Sequence, residues 1–278
     1  MMDIEALWDY NSPEISEERF RQALAQESNP GVIGELTSQI ARTYSMRRRF
    51  DEAHALLDEV ERSSESRVRV RYLLERGRTL NSSQHQDLAR PLFLEAHEIA
   101  SECSEEFLAA DAAHMVAIAS EGETAIEWNL RTMETARRSS DPRAKKWIAS
   151  AGNNLGWSYH VLGRFPEALE QFEAALEARQ GGPIENILIA RWCIARTWRS
   201  LGLYEEALTE QHELEAERER LGLPRGFVFE EIAECLLALG RNEEARPYFA
   251  RAHEQLSQDQ WLTADEPERL ERLVRLSR

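Results

Sequence analysis

Six small residues in this chain are each followed, twelve positions on, by an alanine: Ala41/Ala53, Gly77/Ala89, Ala113/Ala125, Gly156/Ala168, Ala195/Ala207 and Ala233/Ala245. Three positions after each first member stands an apolar side chain, namely Tyr44, Leu80, Val116, Tyr159, Trp198 and Leu236. A fixed offset within a unit and a variable distance between units describe stacked helical hairpins joined by tolerant loops, because packing inside a hairpin is what register controls. Successive alanines lie 36, 36, 43, 39 and 38 residues apart. The pattern predicts an all-α solenoid, which grows by stacking and need not divide at the usual domain size.

With 42% hydrophobic and 30% charged residues, the chain has the apolar content of a folded protein rather than a disordered one. A formal net charge of −16 and a pI of about 5.0 repel nucleic acid and anionic lipid unless positive charge is segregated. The basic clusters, Arg47 to Arg49 and ARRSSDPRAKK from Ala136 to Lys146, have no interleaved aromatics and no accompanying helix-turn-helix, so they read as solvated loops. No run approaches the roughly 20 apolar residues of a membrane helix, and the opening MMDIEALWDY lacks the basic-then-apolar pattern of a secretion signal. Cys103, Cys193 and Cys235 are far apart, as expected of reduced thiols rather than metal ligands. These readings predict a cytoplasmic protein without nucleic-acid or membrane partners, metal or cofactor.

The clearest unit is NNLGWSYHVLGRFPEALEQFEAAL, from Asn153 to Leu176. Leu155, Gly156 and Tyr159 mark a first helix, Gly163 and Arg164 a turn, and Ala168, Phe172 and Ala175 a second helix. Gly156 and Ala168 permit close crossing, while Tyr159, Phe165 and Phe172 fill the wedge beside it. These residues resemble the tetratricopeptide repeat, with Gly152 in place of the usual tryptophan and no closing proline. The Ala245 copy fits with Gly240, Phe249 and Ala252. The Ala207 copy has Gly202 and Tyr204, but Gln211 replaces the aromatic. The Ala53 and Ala89 copies lose the glycine turn, and Asn129 occupies the aromatic position of the Ala125 copy.

The resemblance implies a right-handed α-solenoid of about six to seven hairpins with a C-terminal capping helix. Residues 1–33 read as a divergent N-terminal hairpin and residues 34–256 as six repeats. A hinge is expected near 136–146, where Ser-Ser-Asp-Pro breaks the helix. Residues 257–278 read as the cap, with Leu270, Leu273 and Val274 on one side of a helix.

In proteins of this family, first helices line a concave groove, and the residue after the small Gly or Ala faces it. Here those positions hold Arg42, Arg78, His114, Trp157, Arg196 and Glu234. Asn153, Asn154, His160, Trp192 and Arg199 are further groove candidates. A ladder of guanidinium groups about 10 Å apart would meet an extended peptide every three residues or so. Arg pairs bidentately with carboxylates, Asn amides hold a peptide backbone, and Trp157 and Trp192 offer flat apolar anchors.

The expected function is a non-catalytic scaffold holding a peptide or protein, with an acidic segment as the favoured ligand. The same arginines can instead pair with neighbouring Glu or Asp, and the two tryptophans can be inter-repeat core. Glu230, Glu231 and Glu234 suit a basic segment equally. A carboxylate clamp of the family's kind matches at Asn154 but lacks the surrounding lysines. The alternatives are a sensor of signalling peptides and a self-association module that forms a homo-oligomer. Asp111/His114 and Asp51/His54 have one-turn spacing, but no phosphate loop, nucleophile elbow or HExxH accompanies them, which speaks against an enzyme.

Overall fold

The computed structural model describes residues 3–61 and 63–278, and among these there are fifteen α-helices and no strand. A 3-10 turn, Ile4–Leu7, precedes α1 (Pro13–Leu24). Six hairpins follow, each a first and a second helix: α2 (Pro30–Met46) with α3 (Phe50–Asp58), α4 (Ser66–Ser82) with α5 (Gln86–Glu102), and α6 (Glu106–Ile118) with α7 (Gly122–Arg138). The distal three are α8 (Lys146–Val161) with α9 (Phe165–Ala178), α10 (Ile184–Ser200) with α11 (Tyr204–Arg220), and α12 (Gly226–Ala238) with α13 (Asn242–Leu256). Two short helices close the chain, α14 (Gln260–Asp265) and α15 (Pro267–Leu276). The fold is an all-α solenoid of hairpins, and no described helix is long and apolar enough to cross a membrane.

Each hairpin is built around its twelve-residue pair. Ala53, Ala89, Ala168, Ala207 and Ala245 are all buried, as are their small partners. The approach is close at Gly77, where a Cβ would lie 2.4 Å from the Phe93 ring. Any larger residue there would push α4 and α5 apart. Beyond the small residue the turns also repeat. The amide eight positions on donates to the carbonyl three positions on, as Arg49 to Tyr44 (3.0 Å), His85 to Leu80 (2.9 Å), Arg164 to Tyr159 (2.9 Å), Leu203 to Trp198 (3.0 Å) and Arg241 to Leu236 (2.9 Å). This closure needs a left-handed residue just before it. Gly163, Gly202 and Gly240 supply it in three units, and Arg48 (φ 59°) and Gln84 (φ 66°) supply it in two others. The turn survives where the glycine is lost, at the steric cost an L side chain bears in that region.

The chain divides into two compact units, residues 1–158 and 159–278. The division falls inside α8. The connector 136–146 is tied down within the first unit. The Glu106 carboxylate accepts from the Ser139 hydroxyl (2.7 Å), the Ser140 amide (2.7 Å) and the Asp141 amide (3.2 Å), and Arg143 grips Asp141 through two nitrogens. The residues expected to form an N-terminal hairpin instead form the 3-10 turn and α1, which packs on α2. At the C-terminal end stand α14 and α15, separated where Glu266 precedes Pro267, and α15 carries Leu270, Leu273 and Val274.

Gln211 is fully buried where four of the other five units have Phe or Leu, and neither atom of its amide has a hydrogen-bond partner. Gln211→Met should therefore raise stability by about 1–2 kcal/mol in urea titration. Gln84→Gly should raise it by up to about 1 kcal/mol by relieving the left-handed backbone.

Candidate functional site

The repeat places three positions of every first helix on one face: six before the small residue, two before it and one after it. In the proximal unit the spacing between helices is 36 residues, giving rows Glu35/Arg71/Phe107, Gln39/Glu75/Asp111 and Arg42/Arg78/His114. The structure joins these rows into a charged lattice across α2, α4 and α6. Glu75, with no exposed surface, accepts from Arg78 Nη1 (2.7 Å) and Gln39 Nε2 (3.2 Å), with Arg42 at 3.8 Å. Arg78 also donates to Asp111. Arg67 Nε donates to both Glu35 oxygens (3.0 and 2.9 Å), and Arg71 shares Glu35 at 3.5 Å.

Burial opposes charge throughout this lattice, and pairing overcomes it. Arg78 is desolvated, yet Asp111 and Glu75 hold its guanidinium above the usual arginine range. Asp111 is equally desolvated, yet Arg78 and Arg42 hold its carboxyl below the usual range. His114 has no such rescue. Burial lowers its pKa to about 4, with Arg78 adding to the effect and Asp111 opposing it. Its ring packs on Trp147 at 4.7 Å.

The sequence-expected residues separate into three settings. Arg42, Arg78 and His114 share the proximal lattice, where Arg42 lies over Trp8 (5.2 Å) and Tyr10 (5.5 Å). Asn153, Asn154 and Trp157 are half-buried along α8. In the distal unit, His160 Nε2 meets Ser200 Oγ at 2.9 Å, and Arg196 and Arg199 converge on Glu231 at 2.9 and 2.8 Å. Burial raises the Glu231 pKa despite Arg199 and Arg196. Arg269 of α15 grips Glu230 through two nitrogens (3.0 and 2.6 Å), and Arg272 pairs with Glu234.

Trp192 Nε1 donates to the Phe227 carbonyl at 3.3 Å, and their rings meet edge-on at 6.1 Å. Beside them opens a cleft of about 1120 Å³, with Ile189, Trp192, Leu223 and Phe227 as its apolar wall and both Arg218 and Arg225 and the acidic Glu219, Glu254 and Asp259 around it. Ile189 and Phe227 hold the row-one positions of α10 and α12, yet they are 44% and 42% exposed. Sequence reasoning missed Arg71, Phe107, Ile189 and Phe227, although all four stand six residues before the small position and could be found by that register. It also missed Arg143 and Lys146, whose cations lie 5.0 and 5.1 Å from the Phe107 ring.

Because His114 stays neutral when folded and takes a proton more readily when unfolded, stability should fall as pH drops from about 6.5 to about 4. Nuclear magnetic resonance titration should place the His114 midpoint near 4, and His114→Gln should flatten the stability profile over that window.

Residues 148–180 match the family model of the tetratricopeptide repeat. No curated protein sequence matches the chain. Among solved structures, NprR in complex with its cognate peptide NprX superposes with a TM-score of 0.68 at 17% identity, over 98% of this chain and 81% of that one. The apo form of the quorum sensor NprR from B. thuringiensis gives 0.69 at 16%, covering 98% and 79%. A Rap protein complexed with Competence and Sporulation Factor gives 0.67 at 17%, covering 97% and 76%. In fold the chain is similar to tetratricopeptide-repeat proteins, and its fourth hairpin is the copy that the family model matches.

Proposed function

We propose that this protein is a non-catalytic scaffold holding a peptide or protein segment on its first-helix faces, and that the segment combines carboxylates with a large apolar side chain. The distal cleft carries this reading. Phe227 and Ile189 leave apolar surface exposed beside Trp192, which makes a flat anchor for an aromatic or branched side chain. Arg218 stands at the rim with its Nε on the Pro224 carbonyl (2.6 Å). Burial lowers the pKa of this arginine, with Glu185 opposing, so a ligand carboxylate there would offset a desolvation cost already present. Arg225, by contrast, is paired with Glu219 at 2.8 Å.

A sensor of signalling peptides is the second reading. It is favoured by the shared fold of NprR, seen with its cognate peptide, and of Rap, seen with Competence and Sporulation Factor. Both readings put a peptide on the same helix faces.

Selection of a random displayed peptide library against the full chain should enrich sequences pairing Asp or Glu with Trp, Phe or Leu. Phe227→Asp and Arg218→Glu should each weaken those peptides by about 10- to 100-fold while leaving helicity intact. Enrichment of basic peptides, or binding indifferent to both substitutions, overturns the proposal.

A further inference from the structure

The proximal lattice is covered by the chain's own residues 3–10. Ile4 and Trp8 are buried, with Trp8 only 9% exposed. Trp8 Nε1 donates to Gln39 Oε1 at 3.0 Å, and its ring meets Phe20 edge-on at 5.1 Å. Tyr10 stacks on Trp8 at 4.9 Å with the planes 3° apart, and Arg42 lies over both rings. Glu5 accepts from Arg71 Nη2 at 2.8 Å. Asp3 and Glu5 also place negative charge near Arg143, which stands with Lys146 over Phe107.

This segment is held as a bound peptide would be. Among the described residues, its main chain bonds to itself and to α1, not to α2, α4 or α6. Ala6 N to Asp3 O and Trp8 N to Glu5 O are both 3.3 Å, and the Leu7 carbonyl accepts from Arg19 at 3.4 Å. Contact with the lattice runs through Glu5, Trp8 and Tyr10 side chains. The main-chain anchor is at Asp9, whose amide donates to Ser16 Oγ (2.7 Å) and whose carbonyl accepts from it (2.9 Å).

The match is also incomplete. Within the lattice, Arg71 Nε, Glu75 Oε2 and His114 Nδ1 are buried without a hydrogen-bond partner. Because Glu35 already serves Arg67, Arg71 depends on Glu5 for its closest carboxylate. Whatever replaces the segment must bring a carboxylate to that place, or a buried charge is left poorly compensated.

We propose that the first-helix face of the proximal unit is a second peptide site, occupied in cis by Asp3–Tyr10. In trans it takes a short segment with a carboxylate three residues before a tryptophan. The proposal rests on the reading that first-helix faces of this protein hold peptides. A tethered occupant competes at an effective concentration near the millimolar range, so it lowers the apparent affinity for any incoming segment by the fraction of time the face is closed.

The probe is a fluorescent peptide of residues 3–12, titrated into the full chain. Its Kd should be at least tenfold lower for Trp8→Ala and for Glu5→Ala than for the natural sequence, and a Glu5→Lys peptide should not bind. In the unmodified chain, saturating peptide should speed amide exchange across residues 3–10 while α2 and α4 remain protected. Phe227→Asp should leave all of this unchanged. The proposal is overturned if natively helical variants show no gain in affinity, or if residues 3–10 exchange no faster with peptide present. Loss of binding in Phe227→Asp would also overturn it, by assigning the peptide to the distal cleft and leaving the scaffold reading intact.

Discussion

The close crossing of paired helices at a small residue and the alanine twelve positions later sets everything else in this structure. At Gly77 there is no room for a Cβ against Phe93. The other pairs are Gly156/Ala168 and four of Ala with Ala, all of them small and buried. Such a contact fixes the crossing of each hairpin, because ridges and grooves can interlock in few ways at short range. Once the hairpins are alike, their first helices present alike. Residues 36 apart in α2, α4 and α6 then fall into rows, and side chains with no sequence proximity become neighbours. The charged lattice is a consequence of that register rather than a separate design.

Electrostatically, the lattice solves a problem that the net charge of −16 does not reveal. Arginines at the position after the small residue would repel one another if stacked alone. The position two residues before it supplies the remedy: Glu75 and Asp111 beside Arg78, and Glu231 beside Arg196. Buried charges of this kind are tolerated when paired and costly when a partner is removed. A ligand cannot simply add its carboxylates to a free cationic ladder. It must exchange with carboxylates already in place, which favours shape and spacing over total charge as the basis of recognition.

Much of the fold was legible because its signals are local. The twelve-residue pairs mark all six hairpins. The turn glycines mark three of the five closures, while Arg48 and Gln84 take the same backbone with no sequence sign of it. Less was legible at the inner face. The register identifies Arg42, Arg78 and Arg196 as equivalent, but their partners come from adjacent helices and depend on three-dimensional pairing. The coverage of the proximal lattice by Trp8 and Glu5 was the least accessible of all. A four-residue 3-10 turn has no amphipathic period, and the contacts of the following Trp8 to Gln39 and of Glu5 to Arg71 span 31 and 66 residues. Connector 136–146 separates α7 from α8, as its Ser-Ser-Asp-Pro run ends a helix. The Glu106 carboxylate that ties it down lies 33 residues earlier.

The two units use the row-one position in opposite ways. Proximally it carries Glu35, Arg71 and Phe107, polar and aromatic side chains lying under the chain's own residues. Distally it carries Ile189 and Phe227, apolar side chains left exposed. Hydrophobic burial alone would produce the reverse, covering the apolar pair and leaving the charges to water. Covering charge makes sense when the covering segment supplies the missing counter-charge, as Glu5 does for Arg71. Leaving a tryptophan-flanked apolar step uncovered makes sense when another chain supplies the cover, since exposed apolar clefts on otherwise polar surfaces mark contact sites. A single repeat register thus presents one face that the protein fills with its own residues and another whose apolar side chains stay exposed.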